Sequence, residues 1–158
     1  MMADSKDQHN NKTLAVNRRV RFNYDIEERL ECGVELKGTE VKSIKAGNFQ
    51  FSDAYARIRD DELYMVGFHV SPYKEANLYN HDPDRERKLL AHKKEIVRLR
   101  RKIDEQGYTL VPTRFFLTRG IVKVELGLGK GKKLHDKRHS IKSRDIDRET
   151  EREIRSRS

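Results

Sequence analysis

The 158-residue chain has no tryptophan, a single cysteine, three prolines and only 8% aromatic residues. With Cys32 alone, no intramolecular disulfide can form; a reducing compartment and a packing role for the thiol are the expectation. No apolar run approaches the roughly 20 residues that span a bilayer, and Met1–Lys12 lacks the apolar centre of a secretion signal. A cytoplasmic protein without a membrane partner is therefore expected. The six histidines stand at no recognisable ligand spacing from thiolates or carboxylates, so neither a metal nor another cofactor is expected. Gly-x-Ser-x-Gly elbows and phosphate loops are missing as well. The run Gly129-Lys130-Gly131-Lys132-Lys133 is glycine-rich and basic but has the wrong spacing for a phosphate loop, and reads as a flexible hinge.

What the chain has in abundance is charge. Charged residues make up 39% of it, and 35 Lys+Arg against 26 Asp+Glu leave a net +9. Such a balance points to a polyanion, whether RNA, DNA or an anionic membrane face. The length allows one domain with a hydrophobic core, plus tails.

Apolar residues alternate at Val20, Phe22, Tyr24 and Ile26, then at Leu30, Cys32, Val34 and Leu36, predicting one long strand with a bend at Glu28-Arg29. A short helix is expected from Thr39, stopped by Gly47-Asn48. Two alternating segments around Asp60-Asp61 predict a hairpin, and the turn-rich stretch from Ser71 to Arg87 a long loop. From Lys88 to Gln106 the recurrence of Leu89, Ile96, Leu99 and Ile103 predicts a helix ended by Gly107. Leu110–Leu128 reads as a second hairpin turning at Arg119-Gly120, with Val122, Val124 and Leu126 inward. The fold class is mainly β with short helices: an OB-like closed antiparallel barrel over residues 14–128, behind a disordered N-terminus at 1–13.

Residues 129–158 form a basic tail with eleven Lys+Arg and six Asp+Glu, too poor in apolar side chains to offset its ordering cost, and so disordered when free. Wound as a helix, Lys130, Lys133, Lys137, Ile141, Arg144, Arg148, Arg152 and Arg155 fall in one band beside an acidic ridge of Asp145, Glu149 and Glu153. Repulsion along the band disfavours the free helix, and phosphates would relieve it, coupling folding to binding. A solvated, partnerless terminus is the alternative. Separately, Asp25 with Glu40-Val41-Lys42 imitates the Asp…Glu-x-Lys set of metal-dependent nucleases, although Glu40 equally suits the opening turn of a helix.

Taken together and in order, NRRVRFNY (17–24), GTEVKS (38–43), NHDPDRERKLLAHKKEI (80–96), TLVP (109–112) and KVELGLGKGKKLHDKR (123–138), followed by Lys142, Arg144-Asp145 and Arg148-Glu149, resemble the SsrA-binding protein (small protein B) family. Ala76 stands where that family commonly has glycine, His135 where tyrosine is common, and Ile146 where tryptophan is frequent. The resemblance implies a non-enzymatic protein that binds the tRNA-like domain of transfer-messenger RNA and delivers it to stalled ribosomes, meeting elongation factor Tu only indirectly through the charged RNA. The tail would turn helical in the empty mRNA path at the decoding centre, and DNA is not an expected partner. On matched positions, the resemblance places Glu31 and Leu90 in the RNA-gripping surface with His92 and Asn17 as neighbours, and adds Arg18 and Arg19. In the tail it assigns Lys130, Gly131, Lys132, Lys133, His135, Asp136, Lys137, Arg138, Lys142, Arg144 and Arg148 to ribosome and RNA contacts. Leu90 beside Leu89 could equally be core, and Glu31, facing away from Leu30, a solvated face. A general OB-type RNA-binding or ribosomal protein is the alternative function.

Overall fold

The two tight turns marked in the sequence each hold two consecutive residues in the left-handed region, Asp60 (φ 51°) with Asp61 (φ 62°) and Arg119 (φ 51°) with Gly120 (φ 78°). Such pairs give two-residue turns whose twist matches that of the strands they join. In the computed structural model, which describes residues 11–76 and 80–132, these hairpins belong to a mainly β protein. Its elements are β1 (Asn11–Val16), α1 (Arg18–Asn23), β2 (Tyr24–Val34), α2 (Gly38–Lys45), β3 (Phe49–Gln50), β4 (Tyr55–Arg59), β5 (Glu62–Val66), β6 (His69–Val70), β7 (Arg87–Leu90), α3 (Lys93–Gln106), β8 (Thr109–Thr118) and β9 (Ile121–Gly131). Seven strands form one antiparallel sheet in the order β1-β8-β4-β5-β7-β2-β9, in which β8 also pairs with β9; β3 and β6 form a small second sheet.

The core sits on the inner faces of these strands. Phe68 stacks on Phe115 at 4.7 Å, with Phe49 and Phe51 around them, and Leu63, Met65, Leu110, Val124, Leu126 and Leu128 are buried beside α2's Ile44 and α3's Ile96 and Leu99. Val122, Val124 and Leu126 point inward as the alternation requires. Helix α3 ends at Gly107, whose φ of 71° lets the Tyr108 N–H donate back to the Lys102 carbonyl at 3.3 Å.

Four expectations are corrected. Val20 and Phe22 do not continue the strand that begins at Tyr24: Arg18–Asn23 is helical and buries only Val20. Asn17 turns the chain there, its main-chain N–H donating to the Thr113 carbonyl (2.7 Å) and its side-chain amide to that of Pro112 (2.9 Å), and this anchoring overrides the local alternation. Lys88–Leu90 is strand rather than helix, because β7 fills the gap between β5 and β2, pairing Leu89 with both Leu63 and Val34. Asn11–Thr13, expected to be disordered, pairs with Thr118, Leu117 and Phe116 of β8; main-chain pairing needs no apolar side chains, and the Thr118 hydroxyl donates to Asn11 Oδ1 at 2.7 Å. Nor is Gly129–Gly131 a hinge. It completes β9, with Lys130 opposite Asp25 and Gly131 opposite Tyr24. A Cβ on Gly129 would run into the Asp25 carbonyl, so close approach of backbones, not flexibility, explains this glycine. Residues 1–10 and 133–158 of the two predicted tails lie outside the described residues.

Candidate nucleic-acid interface

Period-two geometry gathers three of the expected residues. Glu31 and Gly33 lie two apart in β2 and so share a face; Gly33 is paired with Leu90 of β7, and His92 lies two residues beyond Leu90, in extended backbone (φ −70°, ψ 146°) at the start of α3. Glu31, Leu90 and His92 accordingly line one open groove of about 580 Å³. Leu90 is 51% exposed whereas Leu89 is 1% exposed, which settles the core-or-surface alternative in favour of the surface.

The groove has mixed charge. Lys88, Lys93 and Lys123 meet Glu31, Glu62 and Glu95 along its walls. Lys88 donates to Glu62 at 2.9 Å, which raises the Lys88 pKa and, with a bond from the Tyr64 hydroxyl, holds the Glu62 carboxyl below its ordinary value. Glu31 Oε1 lies 3.6 Å from Arg114 Nη2 of β8. Arg114 is bound in turn to the buried Glu125, which stands directly across from Glu31 in β9 and which Arg29 approaches to 3.5 Å. Two carboxylates facing each other across strands repel, and Arg114 is their shared counterion. An apolar floor beside a carboxylate and flanking lysines can take the face of a base, accept from its amino group or a 2′-hydroxyl, and meet phosphates at the rim.

Asn17 does not join this groove. It is 6% exposed, spends its amide on Pro112, and borders a separate cleft of about 340 Å³ with Arg19, Gly131 and Lys132. Arg18 and Arg19 are exposed on α1. Lys130 Nζ sits 4.8 Å from the centre of the Tyr108 ring, and the Lys132 N–H donates to the Asn23 carbonyl at 2.8 Å. Lys133, His135, Asp136, Lys137, Arg138, Lys142, Arg144 and Arg148 lie outside the described residues.

The nuclease-like set is dismantled by the fold. Glu40 is fully buried; its Oε1 accepts from the Lys37 N–H (2.8 Å) and from Arg85 Nη2 (2.6 Å), and its Oε2 from Arg87 Nε (2.5 Å). Burial pushes this carboxyl up, but the bonds from Arg85, the Lys37 backbone and Arg87 outweigh it and hold the pKa below the ordinary value. Arg87, also fully buried, donates to the carbonyls of Phe68 (2.7 Å) and Pro83 (3.0 Å) and so holds the chain around Pro83 from beneath. Sequence reading missed this role; Asp-Arg-Glu-Arg at 84–87 looks like ordinary surface charge. His81 is buried with it, Nε2 donating to the Val70 carbonyl (2.9 Å) and Nδ1 against the Thr39 hydroxyl (2.8 Å). Cys32 is a packing residue, its thiol pushed up to about 12 by burial and by the Glu95 charge. No helix among the described residues is long and apolar enough to cross a membrane.

A small antiparallel β protein with an open, mixed-charge groove is the class these observations define. The sequence model of the family described as SmpB protein matches residues 14–156. The chain is 53% identical to the SsrA-binding protein of Treponema denticola over 92% of its own length and 95% of that protein. To the SsrA-binding protein of Borreliella burgdorferi it is 49% identical (92% and 97% covered), and to that of Caldicellulosiruptor saccharolyticus 46% (98% and 98%). A chain of the solved structure described as "tmRNA-SmpB: a journey to the center of the bacterial ribosome" superposes with a TM-score of 0.64 at 47% identity, covering 76% of this chain and 85% of that one. The chain belongs to the SmpB family.

Proposed function

We propose that the chain binds the tRNA-like domain of transfer-messenger RNA and brings it to stalled ribosomes, acting by binding rather than by catalysis, in the cytoplasm. The similarity to SsrA-binding proteins along nearly the whole chain, with 53% identity to the Treponema denticola protein, carries this reading. The likeness to a chain of the tmRNA-SmpB ribosome structure adds to it and favours it over a general RNA-binding role. The return of β8 onto β9 supports reading the sheet as a closed OB-like barrel. The body surface is proposed to be Glu31, Leu90 and His92 in the groove, with Arg18 and Arg19 on α1 and Asn17 holding α1 in place. Lys130, Gly131 and Lys132 would form the root of the arm, and the basic residues beyond them would enter the empty mRNA path as a helix. Elongation factor Tu would be met only through the charged RNA.

The test is a filter-binding comparison of transfer-messenger RNA with an unrelated structured RNA of similar length. Preference for the former by about a hundredfold or more is expected for specific recognition, and equal affinity would reduce the protein to a generic RNA binder.

A further inference from the structure

Gly33 is a glycine the backbone does not require. It lies within β2, is absent from the residues with positive φ, and in a strand interior glycine is less stable than alanine. What it provides is space. The three atoms nearest to a Cβ at position 33 would all be Leu90's, at 3.2 Å for Cδ1, 3.4 Å for Cβ and 3.7 Å for Cγ. Leu90 is its cross-strand partner and lies over the vacant position, half exposed, in the groove that Glu31 shares.

We propose that Gly33 is a positioning residue: its missing side chain lets Leu90 lie flat across β2 as an apolar platform for the face of one unstacked nucleobase, beside the Glu31 carboxylate that accepts from the base's edge. The inference rests on the groove being an RNA surface and deepens that reading. A base, not a phosphate, is the occupant because carboxylates interrupt the lysines along the walls and Lys88 is already paired with Glu62. Repulsion from those carboxylates disfavours phosphate at the floor, whereas an uncharged aromatic ring gains from apolar contact and from an acceptor at its amino edge. Unstacked bases are the usual targets of sequence-selective RNA recognition.

The experiment measures transfer-messenger RNA affinity and thermal stability for Gly33→Ala, Gly33→Val, Leu90→Ala and the Gly33→Val/Leu90→Ala double variant. Leu90→Ala is expected to weaken binding about tenfold, the scale of one lost base contact. Gly33→Ala should keep or raise the melting temperature yet weaken binding about threefold, and Gly33→Val about tenfold, as the platform is lifted progressively. In the Leu90→Ala background, Gly33→Val should have no further effect on binding. Should Gly33→Val fail to fold, Gly33→Ala keeps the comparison. If Leu90→Ala weakens binding while the Gly33 variants bind like the parent, or if position 33 still matters once Leu90 is gone, the positioning role is overturned. A Leu90→Ala variant that binds normally overturns the groove reading itself, and this inference with it.

Discussion

Glu40 and Arg87 are both withdrawn from water; Arg87 has Glu40 as its carboxylate partner, whereas Glu40 is shared between Arg87 and Arg85. Arg87→Met should therefore destabilise the fold by up to about 3–5 kcal/mol, since it removes one of Glu40's two guanidinium partners and the donors to the Phe68 and Pro83 carbonyls, while Arg85 still holds Glu40. Pairing it with Glu40→Gln should recover part of the loss; denaturant titration of the single and double variants measures both. The same carboxylate sets a pH dependence. Its folded pKa lies below the ordinary 4.5, so the stability it contributes is fully present above that value and is lost as pH falls through the folded pKa. Glu40→Gln should be less stable than the parent at pH 7, and the gap in melting temperature should close as the medium is acidified below about 4.5; a gap independent of pH would contradict the assignment. The Asp25/Glu40-Val41-Lys42 spacing only imitates a metal set; Glu40 does stand in the opening turn of α2, as the helix reading of that residue expects, but its two arginine partners were not legible. Charged residues look alike in a sequence whether they face solvent or one another, and only the fold places Arg85 and Arg87 onto Glu40.

At the scale of elements, the end of β9 is where the proposed arm would begin. Truncation after Lys132 keeps the Tyr24–Gly131 pairing and should leave the melting temperature near that of the full chain and transfer-messenger RNA affinity within about tenfold, while abolishing rescue of stalled ribosomes. Truncation after Leu128 removes the partners of Tyr24, Asp25 and Ile26 and should lower the melting temperature markedly. Equal stability of the two truncations would show that the last pairs of β9 contribute nothing. Both hairpins and the stop of α3 at Gly107 were readable because turn residues with positive φ and helix stops are local signals. The strand β7 and the helix α1 were not. Leu89 fits a helical recurrence with Ile96 and Leu99, and only the vacancy between β5 and β2 makes it a strand; Val20 and Phe22 fit an alternation that the Asn17 anchor breaks. Of the groove, Glu31, Leu90 and His92 came from the family resemblance, whereas their convergence came from pairing registers that composition does not encode.

For the whole molecule, the net +9 makes affinity depend on salt, but the groove divides the labour between charge and shape. Replacing a groove-lining lysine such as Lys123 by alanine should reduce the slope of log K against log salt by about 0.7–0.9, the effect of one lost phosphate contact. Leu90→Ala should weaken binding at every salt concentration with the slope unchanged. Titrations at several ionic strengths separate the two, and a Leu90→Ala variant with an altered slope would mean that the apolar platform also organises the cations.

The Lys132 N–H is held by the Asn23 carbonyl, and Lys130 rests against Tyr108. The last described residues are thus held beside α1, along a cleft that shares no lining residue with the Glu31–Leu90 groove. Under the proposed function, two loads would be handled at once, since a nucleotide parked in the groove leaves that second cleft open.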